Sequence, residues 1–278
     1  MSKKMNKRPS SSNTKRAKQN SGNLAGILII SVVGIMFSAI IYMYVSVSSE
    51  QVPRNKDNLC KVDGNYNKHI ILLDITGRYS LIQHKTIRQT IEKEVENLEL
   101  DEQLQLYFIT SSVVAGIKPL MEVCNPGKGE NVNAAFGNQE MIKKKWEDKL
   151  YKPLNNILTY FDTNQNTADK SPIFETIQMI NIASIKKSKE GTKTRFTIIS
   201  DFIQHSDDYS FLRNKIKNFW TTTYRQKIYT KFDNVDVNLM FMRRNGREEY
   251  LDNEYLNFWK KYFTESGSKN VTVKKVEG

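Results

Sequence analysis

The sequence predicts an α/β class domain: a doubly wound, mostly parallel sheet with one antiparallel edge strand, preceded by a single transmembrane helix. Three observations predict it. Two apolar runs, HIILLD at His69–Asp74 and RFTIISD at Arg195–Asp201, read as strands buried on both faces. Strand-like runs alternate with helical periodicity along the rest of the chain, as in parallel sheets covered by helices. Leu24–Val47 contains no charged residue.

Those 24 residues make a helix of about 36 Å, enough to cross a bilayer with some tilt. Tyr42 and Tyr44 fall near its far end, where interfacial aromatics concentrate. A secretory signal peptide is the rival reading, but its apolar core is usually shorter, so the helix is expected to stay as an anchor. Residues 1–23 carry Lys3, Lys4, Lys7, Arg8, Lys15, Arg16 and Lys18 and no acid, and are expected to be a disordered cytoplasmic tail. Everything after the helix then lies outside, in a bacterial periplasm or an extracellular space. The formal net charge is +12, and seven of those charges sit in the tail. The basic balance therefore says little about the folded part, and nucleic acid is an unlikely partner. Residues 48–65, polar and containing Pro53, read as a linker before a domain at 66–278.

Within the domain, Gln83–Leu100 reads as a helix, with Ile87, Ile91, Val95 and Leu98 on one face. Leu104–Thr110 reads as the second strand. Gly116–Cys124 reads as a third, too close in sequence for a parallel crossover and so an antiparallel edge. Asn125–Asn138 reads as a loop, and Met141–Phe161 as a helix bent at Pro153. Ser171-Pro172 opens another helix, with Ser171 as its cap. After the Arg195–Ser200 strand come a helix at Phe211–Trp220, a strand at Val235–Met242, a helix at Glu249–Phe263 and a strand at Val271–Val276. Phe258, Trp259, Tyr262 and Phe263, at helical spacing, read as core.

Open α/β sheets bind ligands at the carboxyl ends of their strands. Four oxygen-bearing residues converge there: Asp74, Thr76, Ser171 and Asp201. Such a set suits a hard cation, Mg²⁺ being the cofactor it points to. The plainer reading makes Asp74 and its neighbours caps of turns and helices.

The pattern resembles a von Willebrand factor type A (VWA) domain over about Tyr66–Gly278. The resemblance rests on Asp74-Ile75-Thr76-Gly77-Arg78, on Ser171-Pro172-Ile173-Phe174-Glu175-Thr176-Ile177 and on Ile199-Ser200-Asp201. These stand where the family has Asp-x-Ser-x-Ser, a Thr-Pro-Leu-Tyr-Asp-Ala-Ile run and Thr-Asp-Gly. The resemblance implies a metal-ion-dependent adhesion site (MIDAS) that recruits a protein partner. Two departures matter. Arg78 replaces the second serine, and a guanidinium cannot ligate a cation. Phe202 stands where the family has glycine after the aspartate. The site then either holds metal weakly or has Arg78 in the cation's role, paired with Asp74 or Asp201. In both cases Arg78 and Asp74 are the expected partner-binding residues.

The only cysteines, Cys60 and Cys124, lie beyond the anchor. In an oxidising space they are expected to form a disulfide at the end of the sheet opposite the site. The sequence thus points to a membrane-anchored, non-enzymatic interaction module, recruiting a partner in an envelope complex through the top of its sheet. The alternative is a metal-dependent phosphoesterase or nuclease using Asp74 and Asp201, for which two carboxylates are few.

Overall fold

The structure is a computed structural model that describes residues 14–49, 52–113, 116–130, 138–164 and 167–276. The chain divides into two compact units, Met1–Val52 and Pro53–Gly278.

The first unit is one helix, α1 (Thr14–Ser49). Its most apolar window, Gly26–Met43, has a mean hydropathy of 2.4. Ile27, Ile30, Ile35, Met36, Phe37 and Ile41 are all exposed within the unit, so the helix shows apolar side chains on every side. A helix apolar all round needs lipid or protein against it. Ser31 and Ser38 make no demand on water: Ser31 donates to the Ile27 carbonyl at 2.9 Å and Ser38 to that of Gly34 at 2.8 Å. The helix starts within the stretch expected to be a disordered tail, at Thr14. Lys, Arg, Ala and Gln there are good helix formers, and an established helix propagates easily. The remainder of that tail, residues 1–13, lies outside the described residues.

The second unit is built on a six-stranded sheet. Its strands are β1 (Lys68–Asp74), β2 (Gln103–Ile109), β3 (Met121–Cys124), β4 (Thr194–Ser200), β5 (Val235–Met242) and β6 (Asn270–Val276). The order is β3-β2-β1-β4-β5-β6, and only the β2–β3 pair is antiparallel. The chain steps from β1 outward to β2, then returns to the other side of β1 with β4. The sheet order therefore reverses between β1 and β4, and the loops leaving these two strands part there.

Period-two alternation sends side chains to both faces. Ile70, Leu72, Phe196, Ile198, Val237, Leu239 and Phe241 pack under α5 (Ile173–Ala183), α6 (Thr223–Ile228) and α7 (Asn253–Glu265). Phe174 is the hub of this layer, stacked on Trp259 at 4.5 Å and on Phe219 at 4.9 Å between ring centroids. Phe258, Trp259, Tyr262 and Phe263 are core, as expected. Ile71, Leu73, Leu104, Leu106, Ile199 and Met240 pack on the other face. There they meet Ile87, Ile91 and Val95 of α2 (Leu81–Glu96), and Leu154, Leu158 and Phe161 of α4 (Lys152–Thr163).

Four elements differ from expectation. The edge strand begins only at Met121, because Pro119 has no N–H to give the ladder. The helix expected at Met141–Phe161 is in two parts, α3 (Gln139–Trp146) and α4. Between them a π turn, Glu147–Tyr151, takes up the register before Pro153, with Lys152 N–H on the Glu147 carbonyl. Phe211–Trp220 is not an α-helix. Ser210 takes the Leu212 N–H with its hydroxyl, and the single turn closed by the Asn214 N–H on the Ser210 carbonyl is not continued: Lys215 is extended before a 3₁₀ turn at Ile216–Thr221. The helix expected from Glu249 starts at Asn253, capped by the Asp252 carboxylate, with a 3₁₀ turn before it.

At the amino end of the sheet, Cys60 and Cys124 are joined by a disulfide across 64 residues. Asp101 holds the same corner through Arg54 and Lys61. A loop of that length predicts a stabilisation of about 4 kcal/mol from the entropy of the unfolded chain. A Cys60→Ser, Cys124→Ser double variant is expected to melt roughly 10 °C lower in a calorimetric scan. An unchanged melting temperature would show that the bridge adds nothing.

Candidate functional site

Asp74 is the last residue of β1 and points to the same face as Ile70 and Leu72. It is 1% exposed. Its carboxylate accepts four hydrogen bonds: Oδ1 from the Thr76 N–H at 2.9 Å and the Thr76 hydroxyl at 2.6 Å, Oδ2 from Ser200 Oγ at 2.6 Å and Ser171 Oγ at 3.2 Å. Tyr79 adds a bond to the Asp74 carbonyl at 2.7 Å. The Thr76 contacts close a tight Asx turn, which reverses the chain after β1.

Ser171 is not a helix cap. The first residues of α5 take their cap from elsewhere: the Phe174 N–H bonds the Gln204 side-chain oxygen at 3.0 Å. Ser171 instead pairs its backbone with His205, donating to its carbonyl at 2.7 Å and accepting from its N–H at 2.9 Å. That bridge presents the Ser171 hydroxyl to Asp74. His205 is occupied in the same way, its ring Nδ1 lying 2.7 Å from Ser210 Oγ.

Ser200 is one of two site residues that sequence reasoning missed. The β1–β4 register pairs Leu73 with Ile199, so Ser200 lies beside Asp74 and on the same face. A small hydroxyl one residue before a strand-end aspartate was the available signal; using it needs the register. Ser200 Oγ also accepts the Phe202 N–H at 2.8 Å, which turns the chain out of β4.

Asp201 faces a different set of partners. Its Oδ1 accepts the Ile203 N–H at 2.9 Å, and its Oδ2 accepts Nη1 of Arg244 at 2.7 Å. Burial, then the charge of Asp74, push its carboxyl up to about 6, against the pull of the Ile203 N–H and of Arg244. Arg244 follows β5 and was not expected here. Arg78 was expected beside the acids, yet it is exposed and makes no ion pair among the described residues. The turn Thr76-Gly77-Arg78 carries its side chain outward, while the strand order brings the loop after β5 next to the end of β4.

Phe202 occupies the position after Asp201 where a glycine was expected. Its φ is +59°, the left-handed region that glycine favours. The backbone geometry is thus the one a glycine would supply. A phenylalanine bears it because the ring is fully buried, stacked on Phe241 at 4.1 Å and edge-on to Trp259 at 5.1 Å.

The feature that does not fit Mg²⁺ is Arg244: its guanidinium donates to Asp201 Oδ2, so the two acids already face a positive charge that repels a second cation. Among the described residues no group of three or more His, Cys, Asp or Glu side chains could hold a metal ion.

Asp201 yields a pH test. Its raised carboxyl contributes stability that is full below about 3.8 and is lost as pH rises through about 6. Asp201→Asn removes the charge that burial opposes, but its single carbonyl oxygen can accept from Arg244 or from the Ile203 N–H and not from both. The variant should therefore be less stable than the wild type at pH 4, and the gap should narrow at pH 7.5, where the wild-type carboxyl bears the cost of ionising. Denaturant melts at the two pH values measure this; a gap that widens as pH rises would contradict it.

No family model matches the sequence, and no curated protein does. Solved structures similar to it include two of low identity. The SpRpn10 VWA domain matches over 76% of this chain and 88% of its own, at 9% identity and a TM-score of 0.39. The D319A mutant of the PilB minor pilin from Streptococcus sanguinis matches over 78% of this chain and 59% of its own, at 10% identity and a TM-score of 0.43. By its own strand order, and by where its three polar segments fall at the sheet's switch point, the domain has a VWA-like fold.

Proposed function

We propose that this chain is a membrane-anchored interaction module that recruits a protein partner at the carboxyl end of its sheet, on the outer side of a bacterial cytoplasmic membrane. The observation that carries this reading is the state of the two acids. A hydrolase built on Asp74 and Asp201 needs at least one carboxylate free to hold a metal or move a proton. Here both are spent on protein donors that shape the loops. Shaped, polar, rigid loops at a switch point are what a recognition surface needs. The placement is supported by the exposed apolar helix, by the basic residues before it, and by a disulfide, which an oxidising space favours.

Photo-crosslinking in the native membrane tests the reading. A photoreactive residue replacing exposed Arg78 should trap a discrete protein, and one replacing Lys56 near the disulfide should not. Protease added to spheroplasts should digest the domain. Absence of any adduct at position 78 would sink the recruitment role. Phosphodiester turnover by the purified full chain, lost in Asp74→Ala, would install the hydrolase instead.

A further inference from the structure

We infer that Arg244 is a built-in cation for this site and that its outer edge receives a carboxylate, an Asp or Glu side chain of the partner, without any metal. The inference rests on the recruitment reading above and names the chemistry of the contact.

The position of Arg244 comes first. Its Nη1 lies 2.7 Å from Asp201 Oδ2, and its charge is felt by Asp74 and Tyr79 as well. The guanidinium therefore stands at the ends of β1 and β4, between the β1 turn and Asp201.

Gly77 is its floor. A Cβ at Gly77 would sit 3.4 Å from Nη1, 3.6 Å from Cζ and 3.8 Å from Nη2, so the guanidinium lies against the backbone of the β1 turn. Contact on one side and Asp201 at one nitrogen fix the plane of the group.

What remains is a free edge. Nη2 and Nε of Arg244 have no hydrogen-bond partner among the described residues, and the side chain is 37% exposed. Two parallel N–H donors at a planar edge match the two oxygens of a carboxylate, a fit a lysine cannot make. Arg78, next to Gly77, and Arg247 are exposed and make no ion pair among the described residues; of the acids beside Arg247, Glu248 is paired with Arg243 and Glu249 is exposed. The free guanidinium edge draws an anion and repels a metal ion.

The test uses the full chain in detergent micelles, with acetate as the carboxylate probe. The chain carries ¹⁵N-labelled arginine, and the Nε–Hε signal of Arg244 is identified by its loss in Arg244→Lys. In EDTA, that signal should shift saturably with sodium acetate and not with sodium chloride at equal ionic strength. Arg78→Gln should weaken the response a few-fold. Separately, Mg²⁺ should leave the melting temperature of the wild type unchanged. Arg244→Ser should melt lower and regain several degrees in Mg²⁺, since a ligand that binds only the folded state stabilises it. If Arg244→Ser does not fold, Arg244→Lys keeps the charge and should remain indifferent to Mg²⁺. An acetate titration that leaves the signal still, or equals chloride, overturns the receptor. A wild-type melting temperature that rises with Mg²⁺ overturns the built-in cation. These arms need no partner, so they stand apart from a failed crosslink at position 78, which would remove the recruitment role alone.

Discussion

A carboxylate buried at the end of a central strand loses its hydration, and the loss is several kcal/mol unless protein donors replace the water. Asp74 is in that position, and the geometry around it follows from the need. Thr76 supplies two donors, so the turn after β1 must close tightly. Ser200 supplies a third, so β4 must run beside β1 in one register. Ser171 supplies the fourth, so the entry to α5 must reach across to the switch point. His205 then holds Ser171, Ala168 binds the Thr76 carbonyl at 2.9 Å, and Gln204 caps α5. Three loops distant in sequence become one rigid surface because one acid cannot be left unsatisfied.

That constraint explains the strain at Phe202. To place Ser200 under Asp74 and still present Asp201 to Arg244, the chain must leave β4 through a left-handed residue. Such a conformation costs a non-glycine residue about 1–2 kcal/mol. Full burial of a phenylalanine side chain contributes about 1.5–3 kcal/mol, which offsets it. The aromatic layer of the core and the exit of β4 are therefore one solution: Trp259 and Phe241 receive the ring that the strained backbone delivers.

The architecture was legible because its signals are local. Apolar runs such as Ile70–Leu73 specify strands buried on both faces, short connections specify an antiparallel edge, and the helical periodicity of Ile87, Ile91 and Val95 specifies a covering helix. Misses came where distant residues decide. Ser171 looks like a cap because serine before proline usually is one; Gln204, thirty residues later, takes that task and frees the hydroxyl. Phe211–Trp220 has helical spacing, but Ser210 offers its backbone a better local partner. Arg78 is one turn from Asp74 in sequence, whereas Arg244 reaches Asp201 only through a strand order that places β5 next to β4. Charge partners across a sheet follow topology, and a linear reading favours the nearer cation.

The energetics of Asp201 show why some cation must be there. Its carboxyl titrates near 6 even with the guanidinium in contact, because burial and the Asp74 charge oppose its ionisation. A positive neighbour pulls the other way and favours the charged form that Arg244 binds. A metal ion could supply that charge, but it must be captured from solution and stripped of part of its water shell. An arginine on the adjacent strand end is already in place, cannot be chelated away, and leaves its second edge facing outward. The same covalent economy holds at the opposite end of the sheet, where the Cys60–Cys124 bridge ties the segment entering β1 to the antiparallel edge. With both ends of β1 secured by the chain itself, the surface at the switch point is set by intramolecular contacts alone.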